Sequence, residues 1–136
     1  MFNLTIMNLK RFLAIAVLSL MSFQGFASHL LGGEIVWKCK PNGKYQFTLV
    51  LYRECGGISL PTSAQSLATN AGVSISCAFI STTDVVPSCY TGTTTCAGAT
   101  SGTGKMQKYV YRSGDITLTG TPPASGWYFT WSSCCR

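Results

Sequence analysis

Apolar and polar residues alternate on both sides of Pro41-Asn42-Gly43 in the run GEIVWKCKPNGKYQFTLVLYREC, which begins at Gly33 and ends at Cys55. A period of two marks a half-buried strand, so the run predicts two strands joined by a tight turn. If the three turn residues form the loop, with Gly43 in the left-handed region, Lys40 faces Lys44 and each further pair steps outward by one residue. Cys39, Trp37 and Ile35 then oppose Tyr45, Phe47 and Leu49 on one face. Lys38, Val36 and Glu34 oppose Gln46, Thr48 and Val50 on the other. A two-residue turn at Asn42-Gly43 would set Phe47 against Lys38 and Gln46 against Cys39, mixing both faces, so the three-residue loop is favoured. This register turns Cys39 inward.

Further strands follow. The stretch GGISLPTSAQSLATNAG is turn-rich, and only SAQSLA hints at helix, too briefly to nucleate one; a long loop with room for a short strand is expected. VSISCAFI, Val73 to Ile80, predicts a strand with Val73, Ile75, Cys77 and Phe79 on its core face. SCYTGTTTCAGATSGTGK, Ser88 to Lys105, has no apolar period and predicts a surface loop. KMQKYVY and GDITLT predict two strands separated by a bend or bulge at Arg112-Ser113-Gly114. GTPPASG reads as an exposed connection. The final run WYFTWSSCC predicts a strand with Trp127, Phe129 and Trp131 to one side and Tyr128 and Thr130 to the other. The sum is about six short strands and no convincing helix, the pattern of an antiparallel, immunoglobulin-like β-sandwich.

The first 27 residues stand apart. Lys10 and Arg11 precede the apolar run FLAIAVLSLMSF, and small residues flank Phe26 before Ser28. That order is a secretory signal peptide, residues 1–27, cut after Ala27. The apolar run is short of the roughly 20 residues a spanning helix needs, so no membrane span remains after cleavage. Residues 28–136 then make one domain. They hold eight Lys and Arg against four Asp and Glu, scattered without a basic run, which excludes the footprint of a nucleic-acid binder.

All seven cysteines, Cys39, Cys55, Cys77, Cys89, Cys96, Cys134 and Cys135, lie in that domain. A small exported domain uses such thiols as cross-links. Pairing is open from sequence; a Cys89–Cys96 link tethering the surface loop is the simplest. Cys134 and Cys135 project to opposite faces, one toward the interior near Cys39 or Cys77 and the other toward the outside or a loop. The odd count leaves at least one thiol free or paired with another molecule. No Cys-x-x-Cys spacing occurs and His29 is the single histidine, so no metal or other cofactor is expected. GATSGTGK is followed by Met106 and does not fit a phosphate loop. Enzymatic chemistry is poorly supplied: His29 sits beside the new N-terminus, no Gly-x-Ser-x-Gly element is present, and Glu34 and Glu54, the candidate glycosidase pair, read as surface charge. Outward tyrosines at 52, 109, 111 and 128 offer stacking surfaces for sugars.

Four segments, SHLLGGEIVWKC, YQFTLVLYREC, QKYVYRSGDITL and GWYFTWSSCCR, in that order resemble the N-terminal domain of large exported Bacteroidota surface proteins, which often end in a gliding-motility-associated or type IX secretion sorting domain. The resemblance spans nearly all of residues 28–136. It implies the front piece of a longer adhesin-like protein, a non-enzymatic structural or adhesion module at the cell surface, with surface glycans or neighbouring domains of the same polypeptide as partners. The alternative is a secreted carbohydrate- or protein-binding module acting alone. Relatives carry a cysteine just before the tryptophan of the last strand, where this chain has Pro122-Pro123-Ala124-Ser125-Gly126; that departure accounts for the odd thiol count. Mass spectrometry of the exported protein should find Ser28 as the first residue; an intact residue 1–27 segment on exported material would refute the leader.

Overall fold

The computed structural model describes Arg11 and residues 30–85, 95–99 and 104–133. Among the described residues from Leu30 onward the regular structure is all strand: β1 (Leu30–Cys39), β2 (Tyr45–Glu54), β3 (Gln65–Thr69), β4 (Ile75–Val85), β5 (Met106–Ser113) and β6 (Phe129–Thr130). They pair antiparallel in the order β1-β2-β5-β4-β3-β6.

The first hairpin has the register that its alternation predicts, with Glu34 opposite Val50, Ile35 opposite Leu49, Trp37 opposite Phe47 and Cys39 opposite Tyr45. Gly43 takes φ 72°, the left-handed conformation the three-residue loop requires. Lys40 N–H donates to Lys44 O at 2.8 Å, and Lys44 N–H donates to Asn42 Oδ1 at 3.1 Å. One expectation fails here. Cys39 shares the face of Phe47 but is exposed, as is Trp37 at 59 %. The hairpin tip extends past the second layer, so parity selects the face without burying it; Trp37 instead leans its ring edge on Tyr45, centroids 5.7 Å apart.

Cross-strand partners line up across the sheet in rungs. Ile35, Leu49, Tyr111 and Phe79 form one, and Gly33, Leu51, Tyr109 and Thr82 the next. At the end of the sheet Arg53, Gln107 and Asp84 form a polar rung. A register shift between Phe79 and Ser81 leaves Ile80 out on the surface and keeps Phe79, Thr82 and Asp84 in line with their rungs. Gly33 is demanded by space: a Cβ there would meet Leu51 Cδ2 at 2.7 Å and Val50 O at 2.8 Å. The core gathers Phe47, Leu49, Leu51, Leu67, Ile75, Cys77, Tyr109 and Tyr111. Cys77 is fully buried on the core face of β4, as its alternation predicts.

Roll of the sheet supplies the second layer. β2 and β6 are not neighbours, yet Phe47 and Phe129 meet at 4.6 Å between ring centroids, their planes tilted by 43°. The result is an all-β, sandwich-like body in which β3 and β6 fold over β2. QSLAT becomes a strand, not a helix or plain loop, because β4 on one side and β6 on the other satisfy its backbone. Asn70 clamps the chain entering β6: its Nδ2 donates to Gly126 O at 3.2 Å and its Oδ1 accepts Tyr128 N–H at 2.9 Å.

Gly114 to Thr119 is not the expected strand. The bend at Arg112-Ser113-Gly114 has a mechanism: Ser113 Oγ accepts Phe47 N–H at 2.9 Å and donates to Gly114 O at 2.7 Å, so β5 peels away from β2. Beyond it only Ile116 rejoins, in a reciprocal bridge with Tyr45 at 2.8 Å each way. Asp115 is drawn to the hairpin turn by an ion pair with Lys40 and by Asn42 Nδ2 at 3.1 Å. Among the described residues of the predicted last strand, Phe129 and Thr130 alone are paired as strand.

Replacing Phe47 by alanine removes the ring that joins the layers and should cost about 3–5 kcal/mol in urea unfolding. Val36→Ala, at a half-exposed outer position, should stay within about 0.5 kcal/mol.

Candidate functional site

Alternation along β2 places Phe47, Leu49, Leu51 and then Arg53 on the inward face, so a guanidinium occupies the last core position, 7 % exposed. A buried cation is tolerated only with its donors satisfied. Arg53 Nε and Nη2 donate to Gln107 Oε1 at 3.0 and 2.8 Å. Nη1 donates to the carbonyls of Glu54, Cys55 and Gly57 at 3.3, 3.3 and 2.7 Å. Its carbon lies 5.8 Å from the centroid of the Tyr109 ring, within cation–π range.

Gln107 passes the network on, its Nε2 donating to Asp84 Oδ1 at 2.9 Å, and Asp84 Oδ2 accepts Cys96 N–H at 2.9 Å. Cys96 is in turn bonded to Cys55, 41 residues away in sequence. One corner of the body is therefore closed by a covalent bond and a chain of charge-assisted hydrogen bonds through β2, β5, β4 and the loop at Cys96. In the chain-entropy model a closed loop of that length contributes about 4 kcal/mol. The Cys96 amide and then Gln107 hold the Asp84 carboxyl below the usual carboxylate value.

This pairing corrects the expected Cys89–Cys96 link: Cys96 goes to Cys55 because the Asp84 carboxylate holds the Cys96 amide beside the end of β2. Cys89, Cys134 and Cys135, with the expected placement of the last two, lie outside the described residues, as do His29 and the leader's apolar run. Cys39 and Cys77 are free thiols. Burial pushes the Cys77 thiol pKa up, which keeps it in the unreactive protonated form.

Of the tyrosines read as outward, two are core. Tyr111 is fully buried and Tyr109 nearly so, because their inward neighbours on β2 are Leu49 and Leu51. Tyr111 donates its hydroxyl to Pro61 O at 2.8 Å, and burial first, then Tyr109, lifts its pKa to about 12. Tyr52 is half-buried and Tyr128 is exposed. Glu54 is also corrected: it is buried, at the end of the paired segment opposite Met106, and not a surface charge. Glu34 opposes Val50, four positions along β2 from Glu54, roughly 14 Å at about 3.4 Å per residue. Glycosidase carboxyls sit about 5–10 Å apart, so these two do not form that pair.

Two concavities stand out among the described residues. A groove of about 530 Å³ follows the inner side of β1 from Leu30 to Ile35 and is walled by Phe129 and Trp131. A basin of about 340 Å³ is bounded by Trp37, Tyr45, Trp127, Pro122 and Leu118. The groove is where the rolled sheet stops short of closing. The basin is an aromatic cup; alternation along the last strand puts Trp127 on its inward side but carries no sign of an opening there. Among the described residues no three His, Cys, Asp or Glu side chains gather, and no helix is long and apolar enough to cross a membrane.

Comparison with family models, with curated proteins and with solved structures gave no match. The fold and its corner define a disulfide-braced, antiparallel all-β domain.

Arg53→Lys keeps the charge but loses the fork, stranding Gln107 and three carbonyls; unfolding free energy should fall by about 2 kcal/mol or more. The Asp84 carboxylate, with its pKa depressed on folding, contributes stability that is full above the unfolded value of 3.8 and is lost as pH falls through the lower folded value. Asp84→Asn should flatten that acid limb in unfolding measured against pH.

Proposed function

We propose that this chain is an exported, non-enzymatic surface module that contributes structure and adhesion within a larger adhesin-like polypeptide. The observation that carries the reading is the aromatic basin of Trp37, Tyr45 and Trp127, open to solvent on a domain whose polar groups at the braced corner are occupied by one another. Accessible aromatic rings suit the apolar faces of sugar rings, so a surface glycan is the partner class. Support for export comes from the leader-like first 27 residues and from the Cys55–Cys96 bond, which persists in oxidising compartments. The four-segment likeness to Bacteroidota surface proteins supports a place at the front of a longer chain.

A secreted binding module acting alone would use the same basin. Glycan-array binding by the purified protein, with Trp127→Ala as the paired variant, tests the site. The expected result is retention of a defined glycan subset by the native chain and at least about a tenfold loss in the variant, in line with one lost aromatic anchor. Equal binding by both, or an array with no retained glycan, would refute adhesion through the basin.

A further inference from the structure

We infer that β1 is a self-complementary docking edge, through which two copies of this chain join antiparallel into one continuous sheet. The inference does not depend on the adhesion reading. β1 ends the strand order, and among the described residues β2 alone pairs with it. Monomeric proteins blunt such edges with short strands, charged side chains, prolines, bulges or covering loops. β1 instead runs for 10 residues without proline, and its one register shift, between Leu30 and Gly32, lies outside the stretch from Gly33 to Cys39.

Backbone direction can be followed from the turn. Lys40 N–H bonds to Lys44 O, and along an antiparallel strand the bonding direction alternates from residue to residue. Lys38, Val36 and Glu34 therefore bond toward β2. The N–H and C=O groups of Gly33, Ile35, Trp37 and Cys39 turn toward the open side.

Charge selects the occupant. The outer face of β1 reads Glu34, Val36, Lys38, with Val36 50 % exposed. An antiparallel copy centred on Val36 sets Glu34 against Lys38 of the second copy, Val36 against Val36, and Lys38 against Glu34. Both halves of a two-fold contact then carry an opposite-charge pair. In the same register Ile35 faces Trp37 and Gly33 faces Cys39, the four residues whose backbone groups point outward. Slipping by two residues one way leaves Glu34 opposite Val36 and Lys38 opposite Gly32. Slipping the other way sets Glu34 against Lys40, already engaged by Asp115. One register satisfies the charges. It also keeps the two Cys39 residues roughly 20 Å apart, at about 3.4 Å per residue, so the contact is non-covalent.

Sedimentation equilibrium of the full chain carrying Cys39→Ser, so that thiol exchange at that position links nothing, tests the proposal at low salt. A reversible dimer is expected by about 100 μM. Glu34→Lys and Lys38→Glu should each weaken it by about tenfold, since each converts both pairs to like charges, and the two together should restore it. Circular dichroism confirms that each variant keeps the strand spectrum; both positions are exposed and outside the core. A monomer throughout, a dimer indifferent to the single reversals, or one that the double reversal fails to restore would overturn the inference.

Discussion

A cation at the end of an apolar strand face has to be satisfied, and Arg53 is satisfied by the parts of the chain that close the fold. The row Phe47, Leu49, Leu51, Arg53 begins in the core and ends at the guanidinium. Its donors reach Gln107 on β5 and three carbonyls, that of Glu54 at the end of β2 and those of Cys55 and Gly57 in the turn after it. Through Gln107 they reach Asp84 on β4, and through Asp84 the amide of Cys96. The Cys55–Cys96 bond fastens the same corner covalently. Each half positions the other: the disulfide fixes the loop whose amide the carboxylate needs, and the carboxylate holds the amide beside the sulfur.

The opposite part of the body is held by apolar contact. Phe47 against Phe129 brings β6 over β2, and Asn70 fixes the chain that delivers Phe129. Here the cover is thin: β6 has two residues, pairs with β3 and forms no ladder with β1. The groove beside Leu30 to Ile35, the aromatic basin and the open edge of β1 all follow from that shortfall. The two ends thus divide the work between rigidity and accessible surface.

Where alternation was regular the sequence was a sound guide. The hairpin register, the left-handed Gly43 and the core placement of Cys77 all follow from period two and one turn. Depth was harder to read than face. Cys39 and Trp37 have core parity yet lie beyond the reach of the second layer, while Tyr109 and Tyr111 have outward-looking neighbours in sequence but inward ones across the ladder. The Cys55–Cys96 pairing depends on a hydrogen bond from Cys96 to Asp84, a contact between segments that no local pattern records. Arg53 left one signal, an arginine in phase with three core residues, which in retrospect marks a buried charge in need of partners. Gly114 to Thr119 looked like a strand by composition, and the Ser113 hydroxyl taking a ladder bond is what diverts it.

The satisfied state of Arg53 can be observed directly. In a proton–nitrogen NMR spectrum near neutral pH the Arg53 Nε–H, donating to Gln107 Oε1, should give a resolved resonance protected from solvent exchange as long as the fold persists. Exchange at the rate of a free arginine side chain would show that the guanidinium is solvated and that the corner is not built around it.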